Sequence, residues 1–176
     1  MSKKLIVVLT IFFSVYGCAQ ENKIVKNNKI ELIKAAKEII QSAKTCALVT
    51  IDTEGRPRIR TMDPFPPEDS LVVWFGTNSN SRKVKQIQEN SKVTLYYADD
   101  DDTGYVMIHG IAEIVSDNTE KQKHWKPKWK DFYPNFPDDY LLIKVSPEWM
   151  EIVSETRNIL GDSKTWEPQK VIFKEH

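Results

Sequence analysis

The chain has 176 residues, 40% hydrophobic and 10% aromatic, with 25 Lys and Arg set against 25 Asp and Glu. That length suits one compact domain of about 100 to 200 residues, and this apolar and aromatic content argues against disorder. A formal net charge of zero gives no overall field to draw the chain onto nucleic acid, and two cysteines cannot staple a small secreted scaffold, so stability has to come from packing.

Residues 1–17 read as an export signal. Lys3 and Lys4 make a positive start, and Leu5 to Tyr16 is a twelve-residue run without charge. That run falls short of the roughly 20 residues a helix needs to span a bilayer. Val15-Tyr16-Gly17-Cys18 resembles a bacterial lipobox, in which the cysteine is lipidated and becomes the new N-terminus. Several acyl chains on Cys18 make a stable membrane anchor, so the expected location is the bacterial cell envelope, on the periplasmic or outer surface. Ordinary cleavage nearby, giving a secreted protein, or an uncleaved anchor is the alternative. Cleavage before Cys18 removes two lysines and no acid, leaving 159 residues with 23 basic and 25 acidic side chains, a net of −2. Residues 18–28 are polar and lysine-rich, which reads as a tether. The domain is expected over 29–160, followed by a C-terminal extension over 161–176.

From Ile30 to Ala43 the residues Ile30, Ile33, Ala36, Ile39, Ile40 and Ala43 recur at helical spacing and predict an amphipathic helix. Three β-rich stretches follow, Cys46 to Asp52, Arg58 to Met62 and Leu71 to Phe75, and Glu54-Gly55 predicts a tight turn joining the first two as an antiparallel hairpin. Cys46 has no base near it and reads as a small buried strand residue. Residues 63–70 contain three prolines, which donate no ladder hydrogen bonds, so a rim loop is expected. Asn80 to Asn90 returns to helical spacing with Val84, Ile87 and Gln88 inward. Strands resume at Val93 to Tyr97 and Tyr105 to Val115. Between them Asp99 to Asp102 lacks the alternating ligands and closing Glu of a calcium loop and reads as a solvated turn. Asp117 to Asp131 predicts a charged helix broken at Pro127, and Tyr140 to Val153 the last strong strand. Short strands with interspersed helices and no repeated βαβ unit point to a mainly β, α+β architecture: an antiparallel barrel or sheet with helices attached.

The chemistry concentrates where the strand through Phe75 runs into Gly76-Thr77-Asn78-Ser79-Asn80-Ser81-Arg82-Lys83 and a helix begins. A helix N-terminus offers backbone N–H groups and the positive end of its dipole to an anion. Arg82 can clamp two phosphate oxygens in a planar fork, Lys83 supplies a mobile point charge, and Thr77 and Ser81 donate hydroxyl hydrogen bonds. The same residues also fit an ordinary N-cap, Ser81, followed by two solvated cations.

Taken together, Gly55-Arg56-Pro57-Arg58-Ile59-Arg60-Thr61-Met62, Gly76-Thr77-Asn78, Ser81-Arg82-Lys83-Val84-Lys85-Gln86-Ile87, Asn90-Ser91-Lys92-Val93-Thr94-Leu95 and Val106-Met107-Ile108-His109-Gly110-Ile111-Ala112-Glu113 resemble the pyridoxamine 5′-phosphate oxidase-like flavoproteins. The resemblance runs from about Ile30 to Val153 and is strongest to the small general-stress-protein branch. It implies a split antiparallel β-barrel and a homodimer binding FMN in the groove between subunits. Carried over by position, Arg60, Ser81, Arg82 and Lys83 hold the FMN phosphate. Arg60, Thr61 and Met62 run along the ribityl chain and the isoalloxazine edge, and Thr77 donates to the flavin or its phosphate. The implied function is a flavin-dependent oxidoreductase, passing electrons from reduced nicotinamide or another donor to a small acceptor. A non-catalytic flavin- or haem-binding envelope protein, or a degenerate barrel serving as an interaction domain, is the alternative.

The chain also departs from that pattern. Tyr105 stands where the vitamin B6 oxidases carry a flavin-contacting glutamine, and Gly76 replaces an aromatic. The C-terminal Trp and Arg-x-His segment that grips the substrate phosphate is missing, so oxidation of pyridoxamine phosphate is not expected. No residue is assigned as acid or base. His109, His124 and His176 show no metal-ligand spacing, so no metal site is expected. His109 reads as a strand residue with structural partners, or as a proton donor near the flavin. Trp125 and Trp129 among lysines read as barrel-covering aromatics, with Trp125 a further candidate to wall the flavin pocket.

Overall fold

Asn28 opens the domain by capping the first helix, α1 (Lys29–Ala43): its side chain accepts from Glu31 N, and Glu31 in return accepts from Asn28 N. This reciprocal box satisfies two backbone donors that a helix start leaves bare. The computed structural model describes residues 27–173, so the expected signal, Cys18 and most of the tether lie outside the described residues. α1 buries Leu32, Ala35, Ala36, Ile39 and Ile40, a stripe of the ideal i, i+3, i+4, i+7, i+8 form. Ile30, expected inward, is 80% exposed, because a stripe centred on Leu32 and Ile39 carries the first turn out of the core.

Strands β1 (Cys46–Ile51) and β2 (Pro57–Met62) form the expected hairpin, paired from Cys46 with Met62 to Ile51 with Pro57. Gly55 takes φ +76° in its turn, a conformation glycine adopts without steric penalty. Asp52 Oδ1 accepts the backbone N–H groups of Glu54 and Arg56. These bonds, with Arg56 beside them, hold the Asp52 carboxyl below its ordinary pKa.

The third strand, β3 (Val73–Asn78), corrects the expected bounds. Leu71 adopts φ +60° before the strand begins, while Gly76, Thr77 and Asn78 pair with Leu142, Leu141 and Tyr140 and so belong to the ladder. Before it the proline-rich segment forms the expected loop, joined to the sheet by a bridge from Pro64 to Phe75 and by a 2.7 Å hydrogen bond from Trp74 Nε1 to Glu68 Oε1. After it comes α2 (Arg82–Glu89), which buries Val84, Gln86 and Ile87. Gln88, expected inward, faces solvent, and Gln86 is buried in its place.

Strands β4 (Lys92–Ala98), β5 (Gly104–Val115), β6 (Tyr140–Ser154) and β7 (Gln169–Ile172), with the short helix α3 (Asn118–Lys123) and a 3-10 turn at Pro127–Trp129, complete the chain. The expected Asp117 to Asp131 helix is thus two short pieces, since Pro127 has no N–H to continue the first. Asp99 corrects the solvated turn: it is buried, and its Oδ2 accepts from Arg157 at 2.6 Å and from Ser154 at 3.2 Å.

The seven strands form one antiparallel sheet in the order β2-β1-β4-β5-β6-β3, with β7 also on β6. One edge of the 15-residue β6 runs along β5, and the other is shared by β3 and then β7. Residues 161–176, assigned to an extension from sequence, therefore bring a strand back onto the sheet. This is the expected α+β, split-barrel architecture. The main core joins α1 to the sheet through Ala36, Ile39, Leu48, Leu95, Ile108, Val145 and Ile152. A second, aromatic core of Trp74, Trp129, Tyr140 and Leu142 lies under Phe65, Trp125, Tyr133 and Phe136.

Candidate functional site

The ladder between β3 and β6 fixes Thr77 on the last turn of sheet before α2. Its Oγ1 lies 3.0 Å from Ser81 Oγ and accepts a 3.0 Å hydrogen bond from Lys83 Nζ. Ser81 occupies the N-cap position of α2 but makes no side-chain capping bond. The ordinary-cap reading of Ser81 therefore fails, and its hydroxyl is turned to Thr77 instead.

Arg60 reaches the same region from β2. Its guanidinium donates to Leu48 O at 3.2 Å, Thr50 Oγ1 at 2.7 Å and Gln86 Oε1 at 2.9 Å, while Thr50 Oγ1 also donates to Gln86 Oε1 at 2.7 Å. Three of the five N–H donors of an arginine are thus engaged by neutral acceptors, and the charge stays uncompensated. Among the described residues, neither Arg60, Arg82 nor Lys83 is ion-paired with a carboxylate. Burial, then the charges of Arg82 and Arg58, lower the pKa of Arg60. Burial, then the charge of Arg60, lowers that of Lys83. Clustered cations without counter-charge are held at a cost that an anion relieves.

A cavity of about 380 Å3 opens beside them, lined by Thr61, Met62, Gly76, Thr77 and Lys83 from the sheet and α2, by Asp63 from the loop after β2, and by Trp129, Phe132 and Tyr133 from the segment after α3. Of the residues singled out from sequence, Thr61, Met62, Thr77 and Lys83 line it. Ser81 joins through Thr77, while half-buried Arg60 and Arg82, exposed at the first residue of α2, do not line it and act on it as neighbouring charges. A donor set of two hydroxyls and three cations with no paired acid fits a phosphate-bearing cofactor such as FMN. A larger groove of about 650 Å3 lies between the start of α1 and β7, but it carries no such cluster of uncompensated charge, and the chemistry favours the smaller one.

Sequence reasoning missed Thr50 and Gln86, which orient Arg60, and the Trp129, Phe132 and Tyr133 wall. Gln86 was within reach: it lies on α2 beyond Lys83, on the buried side with Val84 and Ile87. Trp125 does not line the cavity and packs at 4.3 Å from Phe136 within the second core. Tyr105 stacks on Tyr96 at 5.4 Å and is likewise absent from the cavity wall. His109 lies on the outer sheet face, stacked on Trp149 at 5.1 Å with Nδ1 at 3.4 Å from Thr94 Oγ1, which matches its structural reading.

No curated protein matches the chain. Among solved structures, one from Clostridium acetobutylicum, described as related to general stress protein 26 of B. subtilis and of the pyridoxinephosphate oxidase family, is 23% identical with a TM-score of 0.67, covering 81% of this chain and 95% of that one. General stress protein 26 from Bacillus anthracis is 30% identical with a TM-score of 0.61, covering 70% and 94%. A pyridoxamine 5′-phosphate oxidase-related, FMN binding protein from Nostoc punctiforme is 16% identical with a TM-score of 0.55, covering 83% and 95%. The family model described as pyridoxamine 5′-phosphate oxidase like matches residues 31–159. That span holds α1 from its third residue, six of the seven strands and Arg60, Arg82 and Lys83, and on it this chain belongs to the pyridoxamine 5′-phosphate oxidase-like family.

Proposed function

We propose that this chain binds FMN at the cavity beside Lys83 and works as a flavin-dependent oxidoreductase, as a homodimer with the cofactor between subunits. The observation that carries the reading is the group of Arg60, Arg82 and Lys83, uncompensated by any carboxylate among the described residues, of which Lys83 lines the cavity and donates to Thr77, itself 3.0 Å from Ser81. Lys83 and Arg82 bind the phosphate, Arg60 adds a fixed charge behind them, and Thr61 and Met62 border the rest of the cofactor. Bound FMN supplies the hydride and electron chemistry, and the protein supplies binding, orientation and charge. Support comes also from membership of a family with an FMN-binding structural neighbour.

A carrier without turnover is the second reading, favoured by one feature: the acidic group of the cavity, Asp63, is held by Lys126 at 2.6 Å and Lys128 at 2.9 Å and is poorly placed to serve as a base. The absorption spectrum of freshly purified protein, with a mass for the released cofactor, tests the cofactor. An oxidised-flavin spectrum supports FMN, while a haem Soret band or a colourless protein that takes up no FMN contradicts it. Oxidation of reduced nicotinamide then separates enzyme from carrier. Arg82→Ala with Lys83→Ala is expected to weaken FMN binding by about a hundredfold or more, since two charge-assisted contacts of roughly 1.5–3 kcal/mol each are lost. Unchanged affinity overturns the site.

The expected lipid anchor at Cys18, at the cell envelope, belongs to the same proposal, resting on the Val15 to Cys18 sequence. Cys18→Ser is expected to release the protein from membranes, and retention contradicts the anchor.

A further inference from the structure

The segment from His124 to Asp139 lies across the cavity, held at several points along its length. Tyr140 Oη donates to His124 O. Lys126 Nζ donates to Asp63 Oδ1 at 2.6 Å and to Pro64 O at 2.8 Å, sitting 4.7 Å above the ring of Phe65 and 4.9 Å above that of Trp129. At the far end Lys121 Nζ donates to Pro137 O at 2.7 Å, and Asp139 O accepts from Ser79 N at 3.0 Å. Nothing in this arrangement is a swinging lid, because both ends are hydrogen-bonded to the sheet, its loops or α3, and Trp129 packs against β3.

Gly76 makes the close approach possible. A Cβ there would lie 2.5 Å from Trp129 Cζ3 and 2.6 Å from the ring of Tyr140. Trp129 therefore fills the volume that a side chain on β3 would otherwise take, and the cavity gains an aromatic wall from another part of the chain. Trp129 is 9% exposed and Tyr133 half-buried, whereas Phe132 stands 73% exposed at the rim of the same cavity. A large apolar ring presented to water beside a cavity, on a segment pinned in place, has a face that a planar ligand can cover.

We propose that Trp129, Phe132 and Tyr133 form the wall against which the ring system of the bound cofactor packs, with Phe132 the rim residue that shields it from solvent and sets how much of its face a substrate can reach. The proposal rests on the FMN reading above and adds a specificity-determining residue to it. The polar end of the cavity, Thr77 and Lys83, takes the phosphate, and the aromatic side takes the heteroaromatic ring. One site thus selects a ligand carrying both.

The test uses Phe132→Ala in the full-length protein, with Trp166→Ala, another exposed aromatic at 85% outside the cavity lining, as control. FMN affinity is measured by titration, and iodide quenching of the bound flavin's fluorescence reports solvent access. Phe132→Ala is expected to weaken FMN about two- to tenfold, the range of one aromatic contact, and to raise the quenching constant, while Trp166→Ala changes neither. Unchanged affinity and unchanged quenching in Phe132→Ala, with wild-type protein binding FMN, overturn the wall and leave the phosphate site standing. Wild-type protein that takes up no FMN overturns both readings.

Discussion

Ser81 Oγ lies 3.0 Å from Thr77 Oγ1 rather than over the N–H groups of the helix it precedes. Replacing an N-cap serine by alanine ordinarily costs about 0.5–2 kcal/mol of stability. Here no capping bond exists to lose. Ser81→Ala is therefore expected to leave the thermal midpoint within about 2 °C of wild type, and to weaken FMN binding several-fold through loss of one hydroxyl contact of about 1 kcal/mol. A calorimetric midpoint that falls by much more, with FMN affinity unchanged, restores the hydroxyl to a purely structural role.

The cation cluster makes stability depend on anions and on pH. Because burial and Arg60 lower the pKa of Lys83 in the folded chain, the unfolded chain binds more protons between the two values. The cost of the charge is fully present below the folded pKa and is relieved as pH rises through it. Below the folded pKa an anion can offset that cost. FMN at about 100 times its dissociation constant adds about 2.7 kcal/mol, so the thermal midpoint is expected to rise on the order of 5–10 °C. Inorganic phosphate should raise it less, and 1 M sodium chloride should shrink both gains by screening. Equal melting curves with and without FMN at neutral pH refute this.

Gly76 is expected to tolerate no side chain. Even Gly76→Ala forces the rings of Trp129 and Tyr140 aside, and overpacking of this kind costs roughly 1–3 kcal/mol, about 3–10 °C in thermal midpoint for a chain of this size. Tryptophan fluorescence follows Trp129 at the same time. A variant with wild-type stability and spectrum shows that the aromatic segment can shift without loss.

Cys46 is buried, and that burial pushes its thiol up to about 12. At pH 8 the thiolate that reacts with disulfide reagents is then scarce and enclosed. In Cys18→Ser protein, Ellman's reagent is expected to titrate no thiol in the folded state and one after denaturation. Rapid labelling of the native protein contradicts the burial.

The sequence pattern located the hairpin, α1 and the long central strands because each is set by local rules: a Gly turn at residue 55, a helical stripe, alternating apolar residues. It placed Gln88 inward in α2 because a short helix with few apolar residues leaves its facing ambiguous. Only the burial of Gln86 beneath Arg60 decides that. The meeting of Thr77, Ser81 and Lys83 was legible, since they are close in sequence. The aromatic wall was not, because Trp129 meets Gly76 across more than fifty residues and the glycine's meaning appears only when the ring fills its place. β7 is a four-residue strand, too short for alternation to announce.

That short strand ties the two ends of the described chain together. Gln169 and Asn27 exchange hydrogen bonds at 3.1 Å, and Lys29 Nζ donates to Ile172 O at 2.9 Å, so β7 works as a buckle over the first turn of α1. If the proposed anchor at Cys18 holds the chain, a pull from that side reaches this clasp first, at the margin of the sheet, before the strands carrying Thr77 and Arg60.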